Sequence, residues 1–187
     1  MPLKYFLKIY LVSACFVFFA SSAFAFDDGF GAAKKIETKH FVVSYDPQLS
    51  PDTLLQQLDI GSGEALLVNE PVVRGDDFSV ALDSFYNRIS ATLDMNLYSL
   101  QCNLKICRDD NHLKSLARAI FNREVNAPSF YVNELNTVYI SAEHFTKAIL
   151  GHEIAHVIIS HYFVVQPPAK VAEILSGYVE YELRKSQ

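Results

Sequence analysis

Apolar and polar residues recur along this chain with two different periods, and each change of period marks an element. From His40 to Tyr45 the alternation is twofold, with Phe41, Val43 and Tyr45 on one face, which predicts a strand. Ser50-Pro51-Asp52 then offers an N-cap followed by proline at the first helical position, and Gly61 stops that helix. A longer helix is predicted from about Asp77 to Met95, where Phe78, Ala81, Leu82, Phe85, Ile89 and Leu93 keep the helical period. Residues 97–107 read as strand, and Asp109-Asp110-Asn111 caps a helix that turns Leu113, Leu116, Ala117, Ile120 and Phe121 inward. Ser129–Val132 and Thr137–Ser141 flank Asn133-Glu134-Leu135-Asn136, a hairpin signal. Two helices close the chain, one from about Ala142 to Tyr162, the other from Pro167-Pro168 to about Arg184. Residues 26–36 are small, charged and glycine-containing, and predict a loose leader. Helices and short strands mixed around one core make the expected class α+β.

The first 25 residues follow another logic. A short basic start with Lys4 and Lys8, an apolar stretch from Ile9 to Ala20, and the ending Ala23-Phe24-Ala25 form a secretory signal peptide. The apolar run is short for a bilayer span, so no stable membrane span is expected after its removal. Residues 26–187 are then one exported domain, periplasmic or secreted. Val12-Ser13-Ala14-Cys15 also resembles a lipoprotein processing box, which gives the alternative of an envelope lipoprotein anchored through Cys15. The apolar Phe16-Val17-Phe18-Phe19 that follows argues against that alternative.

Composition narrows the class further. The chain has 187 residues, 50% of them hydrophobic, enough for one domain with a sizeable core. Seven glycines and seven prolines exclude a collagen-like or linker-dominated protein. Net charge is −5, and −7 without the first 25 residues, so no basic surface points to nucleic acid. In an exported chain Cys102 and Cys107 are expected to pair, closing a loop too small to found the fold. A zinc site at the same cysteines would need further ligands, and His112 is the one candidate nearby in sequence.

The chemistry concentrates in Gly151-His152-Glu153-Ile154-Ala155-His156. Histidines at i and i+4 leave a helix about 40° apart, so both imidazoles can bind one tetrahedral zinc. Glu153 lies about 100° round from His152, close enough to reach a metal-bound water without becoming a ligand. Phe145, Ile149, Ala155 and Val157 bury the same helix, so the histidines enter an apolar interior.

With this motif the chain resembles the zincin metallopeptidases, over roughly residues 129–184. In the gluzincin branch the third zinc ligand is a glutamate on the following helix. The resemblance gives that role to Glu173, within Pro167-Pro168-Ala169-Lys170-Val171-Ala172-Glu173. Glu180, seven residues on and on the same helical face, is the competing ligand. The branch with a third histidine six residues after the second is excluded by Tyr162, and His161 points about 140° away from His156. Gluzincins commonly carry an aspartate four residues after the ligand glutamate, whereas this chain has Gly177, which could instead let two helices approach closely.

The resemblance implies a peptidase with one Zn2+ per chain and Glu153 as general base, acting on a peptide or protein substrate in a shallow, open cleft. Small zincins lay an extended substrate along a strand upstream of the active helix. Here that is Thr137, Val138, Tyr139 and Ile140, or the hairpin partner of that strand. Tyr139, Tyr178 and Tyr181 are candidate oxyanion stabilisers. Gly177 motivates an alternative from another class, an exported zinc-binding or interaction module that keeps the motif without turnover. Nothing in the sequence fixes an oligomeric state.

Overall fold

Three strands with apolar side chains on both faces, FVVSY, CNLKIC and TVYIS, can only lie inside a sheet that is covered on both sides. The computed structural model, which describes residues 28–60 and 77–185, arranges them that way. The predicted signal peptide and Cys15 lie outside the described residues. Strands β1 (Lys34–Glu37), β2 (Phe41–Tyr45), β3 (Cys102–Cys107), β4 (Ser129–Val132) and β5 (Thr137–Ser141) form one mixed sheet in the order β1-β2-β3-β5-β4. The inner three are parallel, with Phe41 opposite Cys102 and Asn103 opposite Thr137. Antiparallel β1 and β4 close the two edges. The fold is α+β.

The helices are α1 (Pro51–Leu58), α2 (Asp77–Leu93), α3 (Asp110–Phe121), α4 (Lys147–Tyr162) and α5 (Ala169–Lys185). Strand alternation decides what each face of the sheet meets. Leu104, Ile106, Val138 and Ile140 join Phe85 and Ile89 of α2 and Ile154 and Val157 of α4 in the larger core. Cys107, Val132 and Tyr139 point the other way, against Leu113 and Leu116 of α3 and against Phe30. Asp109 caps α3 by accepting from His112 N–H at 2.8 Å, and Thr146 caps α4 by accepting from Ile149 N–H at 3.4 Å. The predicted helix from Ala142 is split at that cap, a 3-10 turn over Ala142–His144 preceding α4.

Several expectations change. The loose leader is not loose: residues 34–37 form β1, and Asp28 and Phe30 are buried. Lys34, Lys35 and Glu37 have no apolar alternation because they guard an exposed edge. The β1–β2 turn is tied down by Asp83 of α2, which accepts from Thr38 Oγ1 at 2.7 Å and from the N–H groups of Lys39 and His40 at 3.0 Å. Of residues 97–107 only Cys102–Cys107 is strand.

That strand also prevents the expected disulfide. Cys102 and Cys107 sit at its two ends, about 16 Å apart at the usual rise per residue, where a disulfide needs less than about 7 Å between Cα atoms. An odd separation also puts them on opposite faces, Cys102 in the larger core and Cys107 in the smaller. Both are free thiols, pushed up to about 12 by burial. His112 packs instead beside Phe30, its ring centroid 5.3 Å away.

Helix α4 is the central element, apolar nearly all round because it packs against the sheet, α2 and α5. Close approach is set by Gly151, where a Cβ would fall 2.2 Å from Leu183 Cδ1 of α5 and 3.4 Å from Phe85 Cζ of α2. Gly177 does not serve that purpose, since a Cβ there would have nothing within 4 Å. Among the described residues no helix is long and apolar enough to cross a membrane.

Candidate metal centre

The helical spacing of the motif survives intact in α4, so His152 and His156 leave the same side one turn apart. Their Nε2 atoms stand 3.1 Å apart with the rings inclined at 68°. Helix α5 packs against α4 and brings Glu173 to the pair, its two carboxylate oxygens 3.7 Å from His152 Nε2 and 3.5 Å from His156 Nε2. One donor atom from each of the three residues lies within 4.8 Å of the others. Two imidazole nitrogens and a carboxylate oxygen so converged are a donor set that could hold a divalent cation. Burial, and secondarily the neighbouring His152, lower the pKa of His156 against the opposing pull of Glu173, which favours the neutral imidazole a metal needs.

Glu180 lies elsewhere on the same ring. Its Oε2 is 3.2 Å from His152 Nδ1, while its Oε1 accepts from Arg184 Nε at 3.1 Å and from an Arg184 terminal nitrogen at 2.8 Å. Of the two glutamates weighed from the sequence, Glu173 therefore faces both Nε2 atoms and Glu180 faces Nδ1. The Nδ1 contact lacks good hydrogen-bond geometry, although the atom is buried.

Glu153 is turned into the protein, only 7% exposed. Its Oε1 accepts from the Ser129 hydroxyl at 2.7 Å. Burial raises its pKa above the ordinary carboxylate value; Ser129 and His152 oppose the rise, and Glu173 and Glu180 add to it. A carboxylate so placed holds a proton more readily than a solvated one, the property a general base requires.

The expected substrate strand moves. Thr137, Val138, Tyr139 and Ile140 belong to β5, which is paired with β3 on one side and β4 on the other, so its backbone has no free edge. The hairpin partner β4 is the edge strand. Ser141 N–H donates to Pro128 O at 3.1 Å, and the antiparallel register then puts the bonded pairs at Phe130–Tyr139 and Val132–Thr137. The backbone groups of Ser129 and Tyr131 consequently face outward, along the side away from β5. Their side chains meet α4: Ser129 at Glu153, and the Tyr131 hydroxyl at Ser160 Oγ, 3.1 Å away.

Of the three tyrosines, Tyr139 is on the far face of the sheet, bonded through its hydroxyl to Asp28 and stacked on Phe130. That placement removes it as an oxyanion stabiliser. Tyr178 lines a shallow cavity with Arg88, Thr92 and Glu182, and Tyr181 is 60% exposed. A cavity of about 520 Å³ lined by Asp28, Phe30, Asn103, Lys105 and Tyr139 is also on the far face and shares no residue with the metal group. The histidine pair opens to solvent past Glu173, whose side chain is 64% exposed. His161 is held on its own helix, with Nδ1 2.9 Å from Val157 O.

In a second grouping, Asp110, Glu143 and His144, His144 Nε2 lies 3.4 Å from Asp110 Oδ2 and Asp110 N–H donates to Glu143 at 3.4 Å, while Asp110 Oδ1 is buried without a hydrogen-bond partner among the described residues. The residue that sequence reasoning missed is Ser129. Its contact with Glu153 spans two elements, so no spacing rule could reveal it. No protein-family model, curated protein or solved structure matches this chain.

Proposed function

We propose that this chain is an exported, zinc-dependent peptidase of the gluzincin kind, with His152, His156 and Glu173 as metal ligands and Glu153 as general base. The observation that carries the reading is the 3.1 Å approach of two imidazole Nε2 atoms, closed by Glu173, beside a buried glutamate that is not part of the donor set. Zinc there would polarise a peptide carbonyl and acidify a bound water. The protein supplies the rest. Glu153 takes the proton of the attacking water and returns it to the departing amine, and Ser129 fixes the carboxylate that does so. An extended peptide adds along the outer edge of β4, using the outward backbone groups of Ser129 and Tyr131. The open surroundings suit a polypeptide better than a small enclosed substrate. Export follows from the reading of residues 1–25 as a signal peptide.

The test is elemental analysis of purified residues 26–187, with peptide-library hydrolysis of the wild type and Glu153→Gln. Near-stoichiometric zinc, lost in His156→Ala, together with hydrolysis lost in Glu153→Gln, is the expected result. Bound zinc without hydrolysis in either form would return the chain to a non-catalytic zinc-binding module. Absence of zinc after reconstitution would end both readings.

A further inference from the structure

His152 is gripped at both edges of its ring by one helix. Glu173 reaches its Nε2 and Glu180 its Nδ1, 3.7 Å and 3.2 Å away. The two glutamates are seven residues apart, two turns of α5, and so lie within about 20° on the same face. Position 177, between them, offers no side chain, and nothing lies within 4 Å of where its Cβ would be. Arg184, one turn beyond Glu180, places two guanidinium nitrogens on Oε1 and leaves Oε2 for the imidazole. Nδ1 of His152 is buried and has no other polar partner among the described residues. A ring nitrogen shut away from water needs an acceptor if it carries hydrogen, and Glu180 is the acceptor in reach.

We propose that Glu180, clamped by Arg184, is a positioning residue that holds His152 as the Nδ1–H tautomer and turns its Nε2 lone pair toward the metal. The chain Arg184–Glu180–His152 does for the first histidine what a carboxylate behind a ligating imidazole does in general: it fixes the tautomer and raises the basicity of the other nitrogen. The guanidinium, with two nitrogens on Oε1, holds Glu180 in one rotamer, so the carboxylate meets the ring from a fixed direction. Arg184 itself is 59% exposed, so its share in the effect is the smaller one. This role rests on the metal reading proposed above, but the tautomer can be read without metal.

The experiment has two readouts. Long-range nitrogen–proton NMR of the imidazoles in the metal-free protein identifies the tautomer of His152, and competition with a chromophoric chelator measures zinc affinity. Wild type, Glu180→Ala, Glu180→Gln and Arg184→Ala are compared, each checked for folding by circular dichroism. Hydrogen on Nδ1 of His152 is expected in the wild type and is lost or mixed in Glu180→Ala. Zinc affinity falls about 10–100-fold in Glu180→Ala and by less in Arg184→Ala. Glu180→Gln keeps an acceptor without charge, and falls between wild type and Glu180→Ala. Wild-type affinity in Glu180→Ala, or hydrogen on Nε2 of His152 in the metal-free wild type, overturns the proposal. A wild type that binds no zinc overturns the peptidase reading, while the tautomer still decides for or against Glu180.

Discussion

Asp28 and Glu153 are both buried carboxylates, 4% and 7% exposed, yet their surroundings push them in opposite directions. On the α3 side of the sheet, Asp28 has Lys105 Nζ 2.5 Å from Oδ2, the Tyr139 hydroxyl on the same oxygen, and the Phe30 N–H 3.1 Å from Oδ1. Burial is its largest single influence and acts upward, but these donors together outweigh it and leave its pKa below the ordinary value. On the α4 side Glu153 has one hydroxyl donor, an imidazole, and two further glutamates nearby, and burial prevails. Asp28 thus has the environment of a structural anchor, which docks the N-terminal segment on the sheet. The under-compensated Glu153 has a raised affinity for a proton, which suits the general-base role proposed for it.

The strongest way to break that distinction is to remove each charge at constant shape. Glu153→Gln should lower peptide hydrolysis by about 10²–10⁴-fold, the usual worth of a general base, while zinc content stays at the wild-type level. The metal-free variant should also be no less stable than wild type in urea melts. A variant that hydrolyses peptides at wild-type rate would mean that Glu153 moves no proton. Asp28→Asn should behave oppositely, with hydrolysis unchanged and the midpoint in urea lowered. It leaves the Lys105 ammonium, 22% exposed, without its counter-charge. The expected destabilisation is about 1–3 kcal/mol. Equal stability to wild type would show that the anchor is dispensable.

A smaller effect is expected from the hydroxyl donor that Glu153 does have. Ser129→Ala removes the side-chain hydroxyl that donates to Glu153 and should reduce kcat by about 10-fold, the worth of a hydrogen bond to a charged group. KM for a peptide running along β4 should hold, because the backbone groups of Ser129 remain. Ser129→Thr should restore kcat. A loss confined to KM would instead place Ser129 in substrate contact alone.

The legibility of these regions in the sequence differs for physical reasons. The motif of helix α4 was readable because i and i+4 spacing is local, whereas the Thr146 cap, which starts the helix at Lys147 rather than Ala142, carried no signal within the apolar period. The β4–β5 hairpin was placed to the residue by its turn signal. Strand β1 was invisible because its charged edge position erases alternation. The cysteine pair was misread although the information was present: in a strand, residues five apart face opposite sides, so the strand reading of residues 97–107 already excluded the bridge. The order of strands decides whether β5 or β4 carries a free edge, and no hydrophobic pattern encodes that order. Ser129 with Glu153 and Asp28 with Lys105 are 24 and 77 residues apart and exist only once the sheet has formed.

The finest test of the contrast is the pH dependence of stability in the metal-free protein. Asp28 has a folded pKa below its ordinary 3.8, so the unfolded chain takes up its proton first as pH falls. Its contribution is complete above about pH 4 and is lost in acid as pH drops through the folded value. The difference between wild type and Asp28→Asn should therefore shrink below that pH and stay flat above it. Glu153 has the reverse sign, its folded pKa lying above its ordinary 4.5. Between those two values the unfolded chain has released the proton that the folded one keeps, so stability falls as pH rises, by at most about 1.4 kcal/mol per pH unit. Glu153→Gln escapes that fall, and its advantage over wild type should open from about pH 4.5 upward and level off above the folded pKa. His152, Glu173 and Glu180, the groups that act on Glu153, are present in both proteins. Urea melts of the three proteins from pH 3 to pH 8 give both curves. An advantage of Glu153→Gln that does not change with pH would mean that the α4-side carboxylate is as well compensated as Asp28, and the contrast between the two faces would not hold.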